Sequence, residues 1–216
     1  MRIVKEANTR KNEIMDVAAK LFQTKGYDKT STNDILDAVG IARGTLYHHF
    51  KSKEDIMDAL IERQTEYLLI AARKIAEDKS IPVEERIMRT VMSLNASELG
   101  EESTVLMEHL HQPQNALMHQ KINRIIMVRV PSILSDIIKD GISQGLFETP
   151  YPLECMEMIV VYLQTVFDDG IFELTKQEYA MRIQAFIFHL ERLLGVTQGK
   201  FSFVSQLFER DEAGDK

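Results

Sequence analysis

The sequence predicts an all-α protein, because apolar residues recur at helical spacing along most of its length. No segment alternates between apolar and polar residues over enough positions to suggest a sheet. Glycine and proline residues divide the chain at short intervals, as they do between neighbouring helices. These three observations predict about nine to ten helices.

The composition is that of an ordinary globular protein of one or two domains. The 216 residues are 44% hydrophobic and 27% charged, and no apolar run approaches the roughly 18 residues that a membrane span needs. The first residues contain no apolar signal segment, and the single cysteine, Cys155, has no intrachain partner. We therefore expect a cytoplasmic protein with no membrane partner.

The start of the chain and the remainder carry opposite net charges. Residues 1–53 contain ten Lys or Arg and six Asp or Glu, a net charge of +4, whereas residues 54–216 contain 16 and 27, a net charge of −11. The whole chain has a net charge of −7. This asymmetry of charge is the one expected if only the N-terminal quarter of the chain touches the phosphates of a nucleic acid.

The first two helices have clear ends. An apolar stripe over residues 14–22 predicts an amphipathic helix that stops at Gly26. Either Ser31 or Thr32 caps the second helix, and Gly40 ends it after about two turns.

The third helix is short and unusually polar. It opens near Ala42 or Arg43 and ends by Phe50 or Lys51. Ser52 with Asp55 forms a weak capping box that starts a long fourth helix. A support helix followed by two short helices around a glycine-containing turn is the pattern of a helix-turn-helix. So much exposed polar surface suits a helix that lies in a DNA groove.

The later helices are punctuated by prolines. Pro82 is expected at a helix start, because its missing amide is not needed there. Pro131 lies inside an otherwise helical segment, residues 114–143, and is expected to kink or divide it. Residues 199–216 end in a charged tail, preceded by apolar residues that favour a short last helix.

Two helices, over residues 155–172 and 178–194, carry apolar residues on more than one side. Such helices pack inward on one side and against something else on another, so we predict that they pair with a second copy as a four-helix bundle. A central helix of a monomer is the alternative. The predicted dimerisation residues are Met156, Ile159, Val160, Leu163, Phe167, Ile183, Phe186, Ile187 and Leu190.

The first 60 residues resemble those of the tetracycline-repressor (TetR) family of bacterial transcriptional regulators. The matching residues are Ala18, Leu21, Phe22, Gly26, Tyr27, residues 30–35, Gly40, Gly44, Leu46, Tyr47, Phe50, Lys53 and Leu60. A weaker match follows at Gly141, Gly145 and Phe147. The resemblance implies a three-helix DNA-binding domain, residues 1–53, and a helical ligand-binding and dimerisation domain, residues 54–216.

The resemblance also implies a set of DNA-contacting residues: Thr32, Arg43, Gly44, Thr45, Tyr47, His48, His49 and Lys53. Arg43 and Thr45 occupy the leading turn of the recognition helix, where side chains meet base edges, and Gly44 lets the backbone approach the duplex. Thr32 at a helix N-terminus, together with Tyr47, His48 and Lys53, corresponds to phosphate-contacting positions. His49 either contacts phosphate or only caps the helix.

The middle of the chain is expected to hold the input signal of such a regulator. Methionines there are more often core residues than pocket walls, yet several in one bundle favour an adaptable apolar site. We name as candidate ligand-binding residues Met88, Met92, Asn95, Met107, His109, His111, Asn123, Met127, Tyr162 and Gln164.

No pattern indicates catalysis or a metal. Glu108 and His111 have the Glu-x-x-His spacing of di-iron bundles, but the second such pair is missing. The nucleophile, phosphate-loop and paired-cysteine motifs are also missing. We therefore expect no enzyme, cofactor or metal ion.

The most specific hypothesis is a homodimeric repressor that binds double-stranded operator DNA and releases it when a small, mostly apolar effector binds. The alternative keeps the DNA-binding dimer and takes a protein partner as its input.

Overall fold

The computed structural model describes residues 2–94, 116–167, 171–172 and 174–208. Within these ranges it contains eight α-helices, one 3₁₀-helix and no strand, so the all-α prediction is confirmed. The elements are α1 (Arg2–Lys25), α2 (Thr32–Val39), α3 (Arg43–His49), α4 (Lys53–Glu77), α5 (Val83–Met92), α6 (Ala116–Ser143), α7 (Pro152–Val166), α8 (Lys176–Leu193) and the 3₁₀-helix Ser202–Phe208. None of the described helices is both long and apolar enough to cross a bilayer.

The ends of the first helices form as their sequences predict. Gly26 follows α1 with a φ of 86°, and Gly40 ends α2 with a φ of 74°, a left-handed conformation that favours glycine. Ser31, rather than Thr32, is the N-cap of α2: its hydroxyl accepts from the Asp34 amide, and the Asp34 carboxylate accepts from the Ser31 amide. This reciprocal capping box fixes where α2 begins.

The fourth helix begins where the Ser52 cap predicts and continues without interruption for 25 residues. The Ser52 hydroxyl accepts from the Asp55 amide at 3.1 Å, and the Asp55 carboxylate accepts from the Lys51 amide at 2.9 Å. These two bonds satisfy amides that a helix start would otherwise leave without partners.

The structure excludes one alternative for Pro131 and corrects the end of one helix. Pro131 lies inside α6 and does not divide it, and the kink stays a prediction. The helix predicted to reach residue 172 ends at Val166, and the described Ile171 and Phe172 are not helical. The sequence after Phe167 is Asp-Asp-Gly, and carboxylates and glycine at the negative end of a helix disfavour its continuation.

The chain divides into two compact units. Among the described residues, the first unit comprises residues 2–67 and 116–123, and the second comprises 68–94 and 124–208. The buried apolar residues of the first unit include Ile14, Ala18, Phe22, Ile35, Leu36, Leu46, Phe50, Ile56, Met57 and Leu60. This core joins α1, α2, α3 and the start of α4.

An ion-pair cluster also lies within the first unit. The Lys121 ammonium of α6 contacts Glu54 at 2.9 Å and Asp58 at 2.5 Å, two carboxylates one turn apart on α4. The hydrogen bond that the Lys121 ammonium donates to the Asp58 carboxylate is the largest cause that raises the pKa of Lys121. The segment that carries Lys121 thus belongs to the same unit as α1, α2, α3 and the start of α4, although it lies more than sixty residues later than Glu54 and Asp58.

The second unit has its own apolar core, and among its described residues one cation is buried. The Arg86 side chain is 1% exposed, and its guanidinium donates to the Ala76 carbonyl at 3.1 Å and to the Asp140 carboxylate at 3.0 Å. These bonds tie the end of α4 and the middle of α5 to α6. Val204 of the 3₁₀-helix and Phe201, the residue just before that helix, pack in the same core, and both are almost completely buried.

Candidate nucleic-acid interface

The third helix presents two different sides. Leu46 and Phe50 are 1% and 2% exposed and fix α3 to the core of the first unit. Arg43, Gly44, Tyr47 and His48 are exposed, whereas Thr45 and His49 are half-buried. A seven-residue helix with buried anchors and an exposed polar side has the layout of a recognition helix.

Arg43, the first residue of α3, is oriented by a neighbour on α2. Its guanidinium donates to the Asn33 side-chain carbonyl at 3.2 Å, and both residues are exposed. The contact pre-orients a side chain that would otherwise sample many rotamers. Sequence analysis did not single out Asn33, because a contact between residues ten apart is not visible in helical periodicity.

Thr32 is the first residue of α2 and is half-buried. Beside it, Asp34 forms an ion pair with Lys25 at 2.8 Å. The hydrogen bond from Lys25, followed by that from the Ser31 hydroxyl, holds the pKa of the Asp34 carboxyl well below its usual range. The turn that positions Thr32 is therefore held by an ionised carboxylate.

Lys53 makes contacts within the first unit. Its ammonium donates to the Tyr27 carbonyl at 2.6 Å and lies 4.1 Å from the centre of the Tyr27 ring. Burial, followed by the charge of Glu54, raises the pKa of the Tyr27 hydroxyl. A lysine ammonium has three donors, so the contact with Tyr27 leaves others for a phosphate. The anchoring role was missed because Tyr27 lies 26 residues away in the chain.

The two histidines at the end of α3 lie side by side. The ring centres of His48 and His49 are 5.1 Å apart in an edge-on arrangement. Burial lowers the pKa of His49, and the positive charges of His48, Lys11 and Arg10 lower it further. All eight residues predicted to contact DNA lie in the first unit.

The predicted effector residues are not gathered in one described site. Asn95, Met107, His109 and His111 lie outside the described residues, as does Glu108, the residue with metal-pair spacing to His111. Met88 and Met127 pack partly buried against the core of the second unit, and Met92 is 44% exposed.

The other three candidates occupy different surroundings. Asn123 belongs to the first unit and lies 3.2 Å from the His119 ring nitrogen. Tyr162 stacks on the Phe186 ring with centres 5.8 Å apart, and Gln164 is half-buried. Across the described ranges, the side chains that commonly bind metals do not form a cluster of three or more.

Helices α7 and α8 carry most of the predicted dimerisation residues. Some of these residues are buried within the protomer and others are half-buried. Five of the nine lie inside the protomer: Met156, Ile159, Val160, Phe186 and Leu190. The other four, Leu163, Phe167, Ile183 and Ile187, are half-buried. The apolar residues that are exposed on these helices were not among the nine predicted; they are Leu153, Met158, Val161, Met181 and Phe188. Sequence analysis found two apolar sides on α7 without showing which one faces outward.

An open groove of about 220 Å³ runs between these two helices. Its lining is almost entirely apolar and comprises Met158, Ile159, Tyr162, Phe186, His189, Leu190 and Leu193. An exposed apolar surface of this kind commonly marks a place where another molecule packs.

Comparison with known families agrees with this fold. The sequence model described as bacterial regulatory proteins of the tetR family matches residues 14–60, and the model described as the tetracyclin repressor-like C-terminal domain matches residues 101–188. The two matches together span more than half of the chain. The protein therefore belongs to the tetR family of bacterial regulatory proteins, which are DNA-binding transcription regulators.

Curated relatives of this sequence are regulators as well. The HTH-type transcriptional repressor KstR2 of Mycobacterium tuberculosis is 28% identical over 151 residues, which cover 68% of this chain and 73% of the relative. The fatty acid metabolism regulator protein of Bacillus subtilis is 28% identical over 144 residues, which cover 66% and 73%. The crystal structure of the transcriptional regulator FadR from Bacillus subtilis in complex with stearoyl-CoA has a TM-score of 0.51 at 21% identity, over 86% of this chain and 98% of that chain. This last likeness shows a shared fold.

Proposed function

We propose that this protein is a homodimeric transcriptional repressor that leaves a palindromic operator when a small, mostly apolar effector binds to residues 54–216. The observation that carries the DNA-binding part is the exposed polar side of α3, on which Arg43, Tyr47 and His48 project from a helix anchored by Leu46 and Phe50. In this arrangement Arg43 would bind guanine bidentately, while Tyr47, His48 and Lys53 would contact phosphates.

The exposed apolar surface of α7 and α8 supports the homodimer. Met158 and Met181 are each 61% exposed, and the apolar groove lies on the same pair of helices. A second copy packed there would form a two-fold symmetric four-helix bundle. Two-fold symmetry would place two recognition helices about one DNA turn apart, roughly 34–36 Å, and would make the operator palindromic.

Effector response would follow from linkage between two sites. An effector that binds more tightly to the state with low DNA affinity lowers the affinity for the operator. The factor equals the ratio of the effector's affinities for the two states, and bound DNA lowers the affinity for the effector by the same factor. Helix α4 is continuous from Lys53 to Glu77 and would connect the effector domain to the DNA-binding helices. Stearoyl-CoA, which is bound in the FadR structure, is the first compound to test.

Selection of binding sequences from a random duplex library by the full-length protein tests the proposal. The expected result is a palindromic consensus that Arg43→Ala no longer enriches, while Arg73→Ala, at an exposed arginine on α4, enriches it normally. A consensus without two-fold symmetry would contradict the dimeric mode of binding.

Operator affinity unchanged by stearoyl-CoA and by free stearate would exclude long-chain acyl groups as effectors.

A further inference from the structure

The first helix extends well before the part of the chain that matches the family. Helix α1 begins at Arg2, whereas the family match begins at residue 14. This extension carries Arg10 and Lys11, and both are exposed. None of the eight residues predicted to contact DNA lies on α1.

The extension lies beside the end of the recognition helix. The Lys11 ammonium is 5.6 Å from the centre of the Phe50 ring, and Phe50 is the C-cap that follows α3. The charges of Lys11 and Arg10 both act on the His49 ring, which in turn contacts His48. Arg10, Lys11, His48 and His49 therefore form one patch from two helices, which we name the α1–α3 patch.

A single acidic contact is described in this patch, and it is weak. The Arg10 guanidinium forms an ion pair with Glu13 at 2.6 Å, and both side chains are close to half exposed. Exposed ion pairs between neighbours on one helix hold their partners weakly in water. The guanidinium has five donors, so this bond leaves several for a stronger anion.

We propose that Arg10 and Lys11 extend the DNA-binding surface and, with His48 and His49, bind a backbone phosphate beside those contacted by the helix-turn-helix. This inference rests on the proposed operator binding. Arginine and lysine form short, charge-assisted hydrogen bonds to phosphate oxygens. Contacts of this kind hold a protein in register on the duplex without reading bases, so the patch adds affinity rather than sequence preference.

A bound phosphate would also change the protonation of His49. In the free protein, burial and the charges of His48, Lys11 and Arg10 lower the pKa of this ring. A phosphate offsets those charges and favours the protonated ring, so DNA binding takes up a proton. Operator affinity therefore increases as the pH falls through the region around the ordinary histidine pKa of about 6.5.

The salt dependence of binding by the full-length protein tests the phosphate contact. Arg10→Gln and Lys11→Gln are each expected to weaken binding to the selected operator and to random duplex DNA alike. Each should also flatten the slope of log affinity against log salt by roughly one unit for each phosphate that the variant no longer binds. Lys20→Gln is the matched control, since Lys20 is exposed and lies about half a turn around α1 from Lys11. Its slope should equal that of the wild type.

Conservative variants and pH complete the test. Arg10→Lys and Lys11→Arg should keep the slope, and thermal melting establishes that each variant is folded. His49→Gln should reduce the gain in operator affinity between pH 7.5 and 6.

If the wild type binds an operator and Arg10→Gln and Lys11→Gln behave like Lys20→Gln, this inference is wrong while the proposed function stands. If the wild type binds no DNA, the proposed function itself fails. A pH dependence that is identical in His49→Gln would overturn the proton linkage.

Discussion

At the scale of single residues, Arg43 is the side chain on which operator specificity is expected to depend. Replacing it with alanine should cost roughly 1–3 kcal/mol against the selected operator and far less against random DNA, because only the operator presents the matching base. Fluorescence anisotropy titrations with both duplexes measure the difference. Asn33→Ala should reduce the same preference by a smaller factor, since it removes the 3.2 Å contact that orients the guanidinium. Equal losses on both duplexes would instead make Arg43 a phosphate contact.

Lys53 contacts Tyr27 and is also expected to contact a phosphate, so one substitution would remove both contacts. Lys53→Ala should weaken binding to operator and random DNA by about the same factor and flatten the salt slope by roughly one unit, because the variant binds one phosphate fewer. It should also lower the melting temperature, because the Lys53 ammonium holds the Tyr27 carbonyl and ring. Tyr27→Leu removes the ring contact while keeping the lysine, and it should lower the melting temperature without changing the slope. An unchanged slope in Lys53→Ala would leave only the structural role.

At the scale of helices, capping boxes of the same type begin one helix in each unit. A substitution can therefore perturb the DNA-binding unit while a matched substitution perturbs the other unit. Ser31→Ala and Thr175→Ala each remove the N-cap hydroxyl of a capping box, in α2 and α8 respectively. Each should lower the free energy of unfolding of its own unit by about 1 kcal/mol. Only Ser31→Ala should also weaken operator binding, since α2 carries Thr32 and Asn33. Equal effects of both variants on operator affinity would contradict this assignment of α2.

The start of α2 should also respond to acid. Lys25, followed by Ser31, lowers the pKa of the Asp34 carboxyl, so ionised Asp34 stabilises the fold above the unfolded aspartate pKa of about 3.9. This contribution is lost as the pH falls through the lower folded pKa. Asp34→Asn should therefore lower the melting temperature at pH 7, and its difference from the wild type should shrink below about pH 3.9. Asp37→Asn, at an exposed aspartate on the same helix, is the control, and a difference for Asp34→Asn that is constant with pH would refute the assignment.

Local signals predicted the helix ends, whereas contacts between distant residues were not predictable. Gly26, Gly40 and Ser52 act within one turn of their own positions, so their chemistry appears in the sequence. The Thr175 capping box is equally local and was overlooked. The anchoring of Lys53 by Tyr27 depends on packing between α4 and the turn before α2, which no spacing rule encodes. For the same reason, α7 showed two apolar sides without showing which one the protomer buries.

At the scale of the whole molecule, burial separates the substitutions that test the dimer from those that unfold the protomer. Phe186 and Leu190 are almost completely buried, so a charge at either position should unfold the second unit. Met158→Glu and Met181→Glu place the charge on the exposed side of α7 and α8 and should convert a folded dimer to a folded monomer with much weaker operator binding. Sedimentation measures the mass and circular dichroism the fold, with Val128→Glu on α6 as the exposed control.

A wild-type protein that sediments as a monomer at micromolar concentration would rule out the dimer. For the dimer we expect a total buried area above roughly 2,000 Å², the size of obligate interfaces.

The contacts of Lys121 set a lower limit on the fragment that can represent the DNA-binding part of this protein. A fragment cut after residue 60 would appear complete by its family match, yet it would lack the cation that lies between Glu54 and Asp58. It would also lack the buried Met118 and Ile122, which belong to the same compact unit. Two carboxylates one turn apart would then repel each other at the start of α4. A faithful fragment must therefore contain residues 116–123 as well as the first 67 residues, so truncation of the chain after residue 60 cannot produce it.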